Sequence, residues 1–395
     1  MKRVNYFLSF TLIVSFLISI ASCSNKLPDE TVPVTSGTEA ETTVVETEAI
    51  PETTETKVNS RPTMGPTTTP AVLRRPVDDY GKLYVEGTNL MSSVTGEPVQ
   101  LKGMSTYGLY AMYNFVNVDT VQTLAEDWGC SVLRLAMYDD MQGDGYVANP
   151  EKYFNQMCEY TDLCIDQGIY VIADWHILYD GDPNLNKEQA MDFFDRYSAI
   201  YSEYDNVIYE ICNEPNGKCC DDPSRTVDWE NCIRPYAVDL VDVIRKNDPD
   251  NIIIIGTSTW SQDVDIASQN PLEGENLMYT FHFYAGSHKD ANKQKLLTAI
   301  DNGLPIFVTE WGATLDTGGG GVYPDESDAW LEILDEHNIS WCNWSIGSGA
   351  PEDSNALYYY TSLLDTADKL KGHWPLEYLS PSGVYVRGKI LEGQV

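Results

Sequence analysis

Residues 305–312 read Pro305-Ile306-Phe307-Val308-Thr309-Glu310-Trp311-Gly312, an apolar, β-rich run that reaches a carboxylate at its end. A continuous apolar run of this length fits a strand buried on both faces, and an acid at its end fits a side chain delivered to a rim. A second run of the same kind, Asn206 to Asn213, meets Cys212-Asn213-Glu214-Pro215, where Pro215 stops the strand just past the acid. With Pro305 to Glu310 these join six further strand candidates: Val99 to Met104, Ser131 to Met137, Gly168 to Asp174, Asn251 to Thr257, Asn276 to Phe283 and Ile339 to Trp344. Amphipathic stretches lie between them, at Asp119 to Trp128, Pro150 to Gln167, Lys187 to Tyr204, Asn231 to Asn247, Ala291 to Asn302 and Asp325 to His337. A last helix near Ser382 to Leu391 closes the series. Eight strand-then-helix units predict an α/β fold, a single (β/α)8 TIM barrel. Ahead of it, Lys82 to Gln100 reads as an N-terminal β-hairpin around Thr95-Gly96-Glu97, expected to plug the barrel bottom.

The polar residues then fall at one kind of position. Arg134 lies near the end of the second strand, His176 follows the third, Asn213 and Glu214 close the fourth, His282 and Tyr284 the sixth, Glu310 the seventh and Trp344 the eighth. Strand carboxyl ends of a barrel open onto one face, so these residues converge on one site.

Composition narrows the partner. The 395 residues carry 25 Lys+Arg against 60 Asp+Glu, a formal charge of −35, which argues against nucleic acid and against an anionic membrane surface. The apolar content of 43% and aromatic content of 11% are those of a folded protein. The N-terminus differs from the rest. Residues 1–22 have a basic start at Lys2 and Arg3 and an apolar stretch from Tyr6 to Ile20, the pattern of a secretory signal. Ile20-Ala21-Ser22-Cys23 resembles the lipobox of bacterial lipoproteins, so Cys23 is the expected lipidation site; an ordinary cleaved signal or a retained anchor is the competing reading. Residues 24–70 hold 13 Thr, 6 Pro and 8 acids with no aromatic residue, too little apolar surface to offset chain entropy, and residues 23–70 read as a disordered tether. The expected folded part is residues 71–395, with all nine Trp and a charge of −32.

Two carboxylates are the candidates for chemistry. Cleaving a glycosidic bond needs a proton donor for the leaving oxygen and an anion for the developing oxocarbenium ion, and Glu214 and Glu310 at strand ends of one face meet both needs. A rim carboxylate satisfied by an arginine is the bland reading of either alone; the pair, with Asn, His and Tyr on the same face, favours catalysis.

The blocks Asp174-Trp175-His176, Asn213-Glu214-Pro215-Asn216-Gly217, Trp260-Ser261-Gln262-Asp263-Val264, Phe281-His282-Phe283-Tyr284-Ala285-Gly286, Thr309-Glu310-Trp311-Gly312 and Trp341-Cys342-Asn343-Trp344-Ser345 occur in the order found in glycoside hydrolase family 5. From about Tyr80 to Gly388 the chain resembles that family, most closely the bacterial endo-β-1,4-glucanases of its subfamily 2. The resemblance implies a retaining endo-β-1,4-glucanase with Glu214 as acid/base and Glu310 as nucleophile. It further implies that Arg134 keeps Glu310 ionised, that Tyr284 hydrogen-bonds it, that Asn213 grips a substrate 2-hydroxyl, and that His176 and His282 complete the polar floor. Trp344 would stack the glycone side and Trp260 the aglycone side, an indole face suiting a pyranose. Trp128, Trp330 and Trp374 lack a family match and read as packing or rim residues.

Three departures stand out. Tyr107 follows Met104-Ser105-Thr106 where the family has a His, and it enters the expected substrate-binding set. No base occurs from Ser345 to Pro351, where the family has a lysine, leaving Glu352 or Asp353 to bind a hydroxyl. The loop after Gly217 is long and carries Cys219, Cys220 and Cys232, of which Cys219 or Cys220 is expected to pair with Cys232. Pairing among these and Cys130, Cys158, Cys164, Cys212 and Cys342 is open. No metal or other cofactor is expected. The expected partner is a β-glucan polysaccharide, the expected state a monomer, and the expected location extracellular, held at the bacterial surface through Cys23. Mixed-linkage glucan, xyloglucan or mannan are alternative polymers for the same machinery, and an inactive surface glycan-binding protein is the alternative of another class.

Overall fold

The computed structural model describes residues 75–350, 352–358 and 371–392. The expectations for residues 1–70, Cys23 included, lie outside the described residues. No helix among the described residues is long and apolar enough to cross a membrane.

Eight parallel strands close into a barrel: β1 Lys102–Thr106, β2 Val132–Tyr138, β3 Tyr170–His176, β4 Val207–Glu210, β5 Ile253–Ile255, β6 Leu277–Tyr284, β7 Ile306–Gly312 and β8 Trp341–Ile346, with β8 returning to pair with β1. The helices that follow them are α1 Val118–Glu126, α2 Pro150–Gln167, α3 Lys187–Tyr201, α4 Arg234–Arg245, α5 Val264–Ala267, α6 Asp290–Asp301, α7 Pro324–Glu336 and α8 Pro381–Leu391. The (β/α)8 expectation therefore holds. Helix α2 matches its predicted bounds because both ends are written in the sequence: Pro150 takes the first-turn place where its missing N–H costs nothing, and Gly168 ends the helix at φ 70°.

Most barrel strands extend about two residues past the apolar runs that predicted them. The side chains turn polar where the interior turns polar, yet the backbone ladder continues into that layer. Strands β4 and β5 are the exceptions, β5 ending at Ile255. Strand β4 stops at Glu210, so Asn213 and Glu214 lie beyond it, held by Ile211 N to Ile254 O at 3.0 Å and Asn213 N to Trp175 O at 3.2 Å.

Alternation divides the strand residues into two sets. Leu133, Leu135, Val171, Ala173, Trp175, Tyr209, Phe281 and Phe283 point outward and pack under the helices. Val132, Tyr170, Ile172, Ile208, Ile254, Met278, Phe307 and Cys342 fill the lower interior, where Leu83, Leu90 and Val99 join them. The plug is thus present, though the main turn is elsewhere than expected. Strands Leu83–Glu86 and Asn89–Ser92 pair antiparallel about Gly87-Thr88, and Thr95-Gly96-Glu97 forms a second turn closed by the Met91–Pro98 bridge. Gly87 at φ 61° supplies the left-handed residue of the tight turn.

Strand β7 breaks the alternation. Its register with β6 slips between the Thr280–Phe307 and His282–Glu310 pairs. A bulge of this kind re-aims a side chain, and here it turns the consecutive Thr309 and Glu310 both into the barrel.

All eight cysteines among the described residues are free thiols, so the expected disulfide is absent there. Cys219 and Cys232 are nevertheless neighbours, buried beside Asp182 with ligand atoms within 4.8 Å of one another, while Cys220 is exposed.

The plug has an energetic consequence. Leu90 is buried against the barrel floor, and Leu90→Ala should cost about 3 kcal/mol through lost burial and a residual cavity. Urea unfolding measures this; a change below about 0.5 kcal/mol, within the range of neutral surface substitutions, would show that the hairpin is no part of the core.

Candidate active site

The upper barrel interior is organised around Arg134, which β2 places in full burial. Its Nε donates to Glu210 Oε2 at 2.7 Å, its Nη1 to Glu310 Oε2 at 2.9 Å, and its Nη2 to Glu210 Oε1 at 3.1 Å and Asn213 Oδ1 at 2.6 Å. The same Nη2 is 3.0 Å from Asp174 Oδ2. One cation thus faces three carboxylates. Burial alone would favour the neutral guanidine, but Asp174, Glu210 and Glu310 hold it well above its ordinary range. The imbalance shows on the acids: burial, only partly offset by Arg134, pushes Asp174 up to about 8, and burial also raises Glu210.

Glu310 accepts from Arg134 at one oxygen and from the Tyr284 hydroxyl at the other, 2.7 Å away. Glu214 has a different setting: its Oε1 is 3.0 Å from His282 Nδ1, and burial pushes it up to about 8, against the pull of Arg134 and with Asp174 and Glu210 adding to the rise. Burial depresses His282 to about 4 and carries His176 well below its usual value, so both rings are neutral at pH 7. Asp174 accepts from His176 Nδ1 at 2.5 Å, leaving His176 Nε2 to accept from Asn213 Nδ2 at 3.3 Å. The second Asn213 Nδ2 proton goes to Ile177 O at 3.0 Å. Asn213 therefore has one Oδ1 lone pair left for a further donor.

Around these groups lies a cleft of about 700 Å3 lined by Tyr107, Tyr138, Trp260, Trp344, Asp316 and Asp353 among others. Trp344 stacks on His176 at 5.3 Å and leans on Tyr107 at 5.6 Å. Trp260 stands 46% exposed, presented by the consecutive left-handed residues Thr259, Trp260 and Ser261. Asp263 secures that turn by accepting from the Ser258 and Thr259 hydroxyls and from Lys295 Nζ.

The expected residues Arg134, His176, Asn213, Glu214, His282, Tyr284 and Glu310 thus meet in one place, with Tyr107, Trp260 and Trp344 on the cleft walls. Glu352 does not join them. It is exposed and absent from the cleft lining; Asp353 lines the cleft instead, with its oxygens accepting from the Ala350 and Asn355 backbone. Trp128 and Trp330 are packing residues, the first against Trp374 and the second stacked on Phe283.

The sequence matches the family description "Cellulase (glycosyl hydrolase family 5)" over residues 92–350. It is 48% identical over 297 residues to Endoglucanase A of Evansella cellulosilytica, covering 75% of this chain and 57% of that protein. It is 45% identical over 310 residues to an endoglucanase of Clostridium saccharobutylicum, covering 78% and 65%. The fold superposes on the catalytic domain of Thermobifida fusca endoglucanase Cel5A with a TM-score of 0.73 at 35% identity, covering 81% of this chain and all of that one. That T. fusca domain has also been solved with cellotetraose. The chain belongs to glycosyl hydrolase family 5. It spans between half and two thirds of the length of the two curated relatives named.

Within this family 5 site, sequence reading missed Asp174, Glu210 and Thr309. A signal existed for the first two: each is an acid at an inward position of an otherwise apolar strand, where an unpaired charge is too costly to persist. Thr309 gave none, because only the bulge brings it and Glu310 to the same side.

Removing the shared cation should expose the imbalance. Arg134→Met leaves Asp174, Glu210 and Glu310 buried without a counter-charge, and breaking such a pair costs about 3–5 kcal/mol at neutral pH. The variant's folded state then binds protons that its unfolded state releases, so its stability falls as pH rises and recovers toward pH 5. Unfolding curves at pH 5 and 8 test the sign; a larger deficit at pH 5 would contradict it.

Proposed function

We propose that this family 5 domain is a retaining endo-β-1,4-glucanase acting by double displacement. The observation that carries the reading is a distance: Glu214 and Glu310 bring one carboxylate oxygen each within 4.8 Å of the other. Retaining pairs stand about 5–5.5 Å apart, while inversion needs about 6.5–9.5 Å to seat a water.

In the first step Glu214, kept protonated by its burial, gives its proton to the glycosidic oxygen as that bond to the anomeric carbon breaks. Glu310 attacks the same carbon and becomes a glycosyl ester. Arg134 and Tyr284, each on its own oxygen, keep its carboxylate aimed before attack, and the one on the non-attacking oxygen retains that contact in the ester. Glu214, now an anion, takes a proton from a water that displaces Glu310 and restores the β configuration. Trp344 and Trp260 serve as stacking platforms on opposite sides of the cleaved bond, and the names of the curated relatives point to a β-1,4-glucan as the polymer. Residues 1–22 and 23–70 are proposed as lipoprotein signal and tether, with attachment at Cys23 and the catalytic domain outside the cell. Mass spectrometry of the mature N-terminus checks this part, and an unmodified terminus elsewhere would exclude it.

Proton NMR of the first product from a soluble cellulose derivative, taken before mutarotation, should show the β anomer. An initial α anomer would overturn Glu310 as nucleophile, and no product from any β-glycan would leave a glycan-binding protein. Glu310→Gly should abolish turnover. Glu214→Ala should abolish it for cellulose while sparing glycosyl-enzyme formation from an activated aryl glycoside, which needs little proton assistance.

The working acid is protonated Glu214, so kcat/KM should fall as pH rises through about 8. A profile flat to pH 10 would remove Glu214 as the acid.

A further inference from the structure

We propose that Asp182, Cys219 and Cys232 form a zinc site that clamps two loops at the cleft face of the barrel. The site is separate from the chemistry at Glu214 and Glu310, which needs no metal.

Two loops bring the three residues together. Asp182 lies between β3 and α3, while Cys219 and Cys232 both lie between β4 and α4. Residues 217–227 fold back as a short hairpin, closed by the Lys218–Thr226 bridge and by Val227 N to Gly217 O at 3.2 Å, and this fixes Cys219. Cys232 is presented by a π-helical turn, Trp229–Ile233, in which Cys232 N and Ile233 N both donate to Asp228 O, at 3.2 and 3.1 Å. Such turns are rare and recur at functional sites. Each of the three residues is at most 2% exposed, and their ligand atoms all lie within 4.8 Å of one another.

The acid points to a cation. Asp182 Oδ1 accepts from Asn184 N at 3.0 Å and Asn184 Nδ2 at 2.8 Å, and its Oδ2 accepts from Cys220 N at 2.7 Å. Among the described residues no Lys, Arg or His forms an ion pair with it, so a buried carboxylate stands without a counter-charge beside two buried thiols. The supports around it suit a metal's outer shell. Asn184 Nδ2 also donates to Cys232 O at 3.1 Å, so one amide aligns the acid and one of the cysteines. The only hydrogen bond that Cys219 Sγ donates to the backbone is a weak one, to Thr226 O at 3.4 Å, and a thiolate gives it up at little cost.

The donor set selects the ion. Calcium and magnesium take oxygen ligands, and an iron–sulfur cluster takes four cysteines, whereas two thiolates and a carboxylate fill three corners of the zinc tetrahedron and leave the fourth to water. Binding releases one proton from each thiol to solvent, and the zinc dication then meets two thiolates and one carboxylate, leaving one net negative charge. The clamp would act on the cleft wall. Asn216 already ties the same two loops, through its N to Gly181 O and its Nδ2 to Leu178 O, both at 2.8 Å, and Leu178, Tyr179 and Glu214 line the cleft.

The test uses the full chain, made without a histidine tag and kept reduced. After loading with zinc and dialysis into metal-free buffer, elemental analysis should find about one zinc per chain. X-ray absorption should place two sulfurs at about 2.3 Å from it. Cys219→Ser and Cys232→Ser should each retain less than about a tenth of that zinc, while Cys220→Ser, which changes only the exposed neighbour, should retain all of it. Should the buried cysteine variants fail to fold, cobalt in place of zinc reads the site in the unaltered chain, through thiolate charge-transfer absorption. Chelation should lower the unfolding temperature of the wild type. Several results overturn the proposal: no retained zinc, no thiolate band with cobalt, or zinc lost from Cys220→Ser as from the other two. Zinc that survives both buried cysteine changes also overturns it, and assigns the metal to the other close group, Glu214, His282 and Glu310. So does a Cys219–Cys232 disulfide in peptides of the exported enzyme isolated without reductant.

Discussion

Among the described residues Arg134 is the one cation within hydrogen-bonding reach of Asp174, Glu210 and Glu310, and the upper half of the barrel is arranged around that shortage of positive charge. Three buried anions against one guanidinium cannot all be well stabilised, and burial moves Asp174 and Glu210 toward their neutral forms although both touch Arg134. Glu310 has Arg134 and Tyr284 as hydrogen-bond donors, one on each oxygen. Glu214 lacks a direct arginine contact among its hydrogen bonds, sits against a neutral imidazole, and keeps a proton. In the proposed reaction two glutamates of the same chemical kind thereby take opposite roles from position alone.

The barrel makes this possible by separating its halves. Below Arg134 the interior is filled by Val132, Tyr170, Ile172, Ile208 and Phe307 and sealed by the hairpin, which denies water a route from beneath. Above it the strands carry polar side chains into the cleft, and a low-dielectric floor strengthens each hydrogen bond they make. The β7 bulge has a particular place in this design. Without the extra residue, Thr309 and Glu310 would point to opposite faces; with it, one presents the anion to the cleft while the other ties His282 to Glu210.

The barrel was legible because its signals are long-range and repetitive: apolar runs at strand spacing, amphipathic helices between them, and polar residues at the run ends. The site residues at those ends, Glu214 and Glu310 foremost, were legible for the same reason and through the resemblance of six ordered blocks. What escaped was whatever depends on a single backbone irregularity or on reading inward faces strand by strand. Thr309 needs the bulge. Asp174 and Glu210 needed the recognition that an acid inside an apolar strand implies a buried partner, and their partner was the arginine already assigned to Glu310. Glu352 was misplaced by one residue: Asp353 faces the cleft and Glu352 faces solvent, a difference that loop backbone rather than sequence pattern decides.

In the proposed double displacement Glu310, held by Arg134 and Tyr284, becomes bonded to the sugar. An activated 2-deoxy-2-fluoro cellobioside slows ester hydrolysis by destabilising the oxocarbenium-like transition state, and should accumulate the covalent intermediate. Peptide mass spectrometry should then locate one fluorosugar, as an ester, on the peptide that contains Glu310. Label on Glu214, or release of the leaving group with no covalent adduct on the chain, would contradict the account.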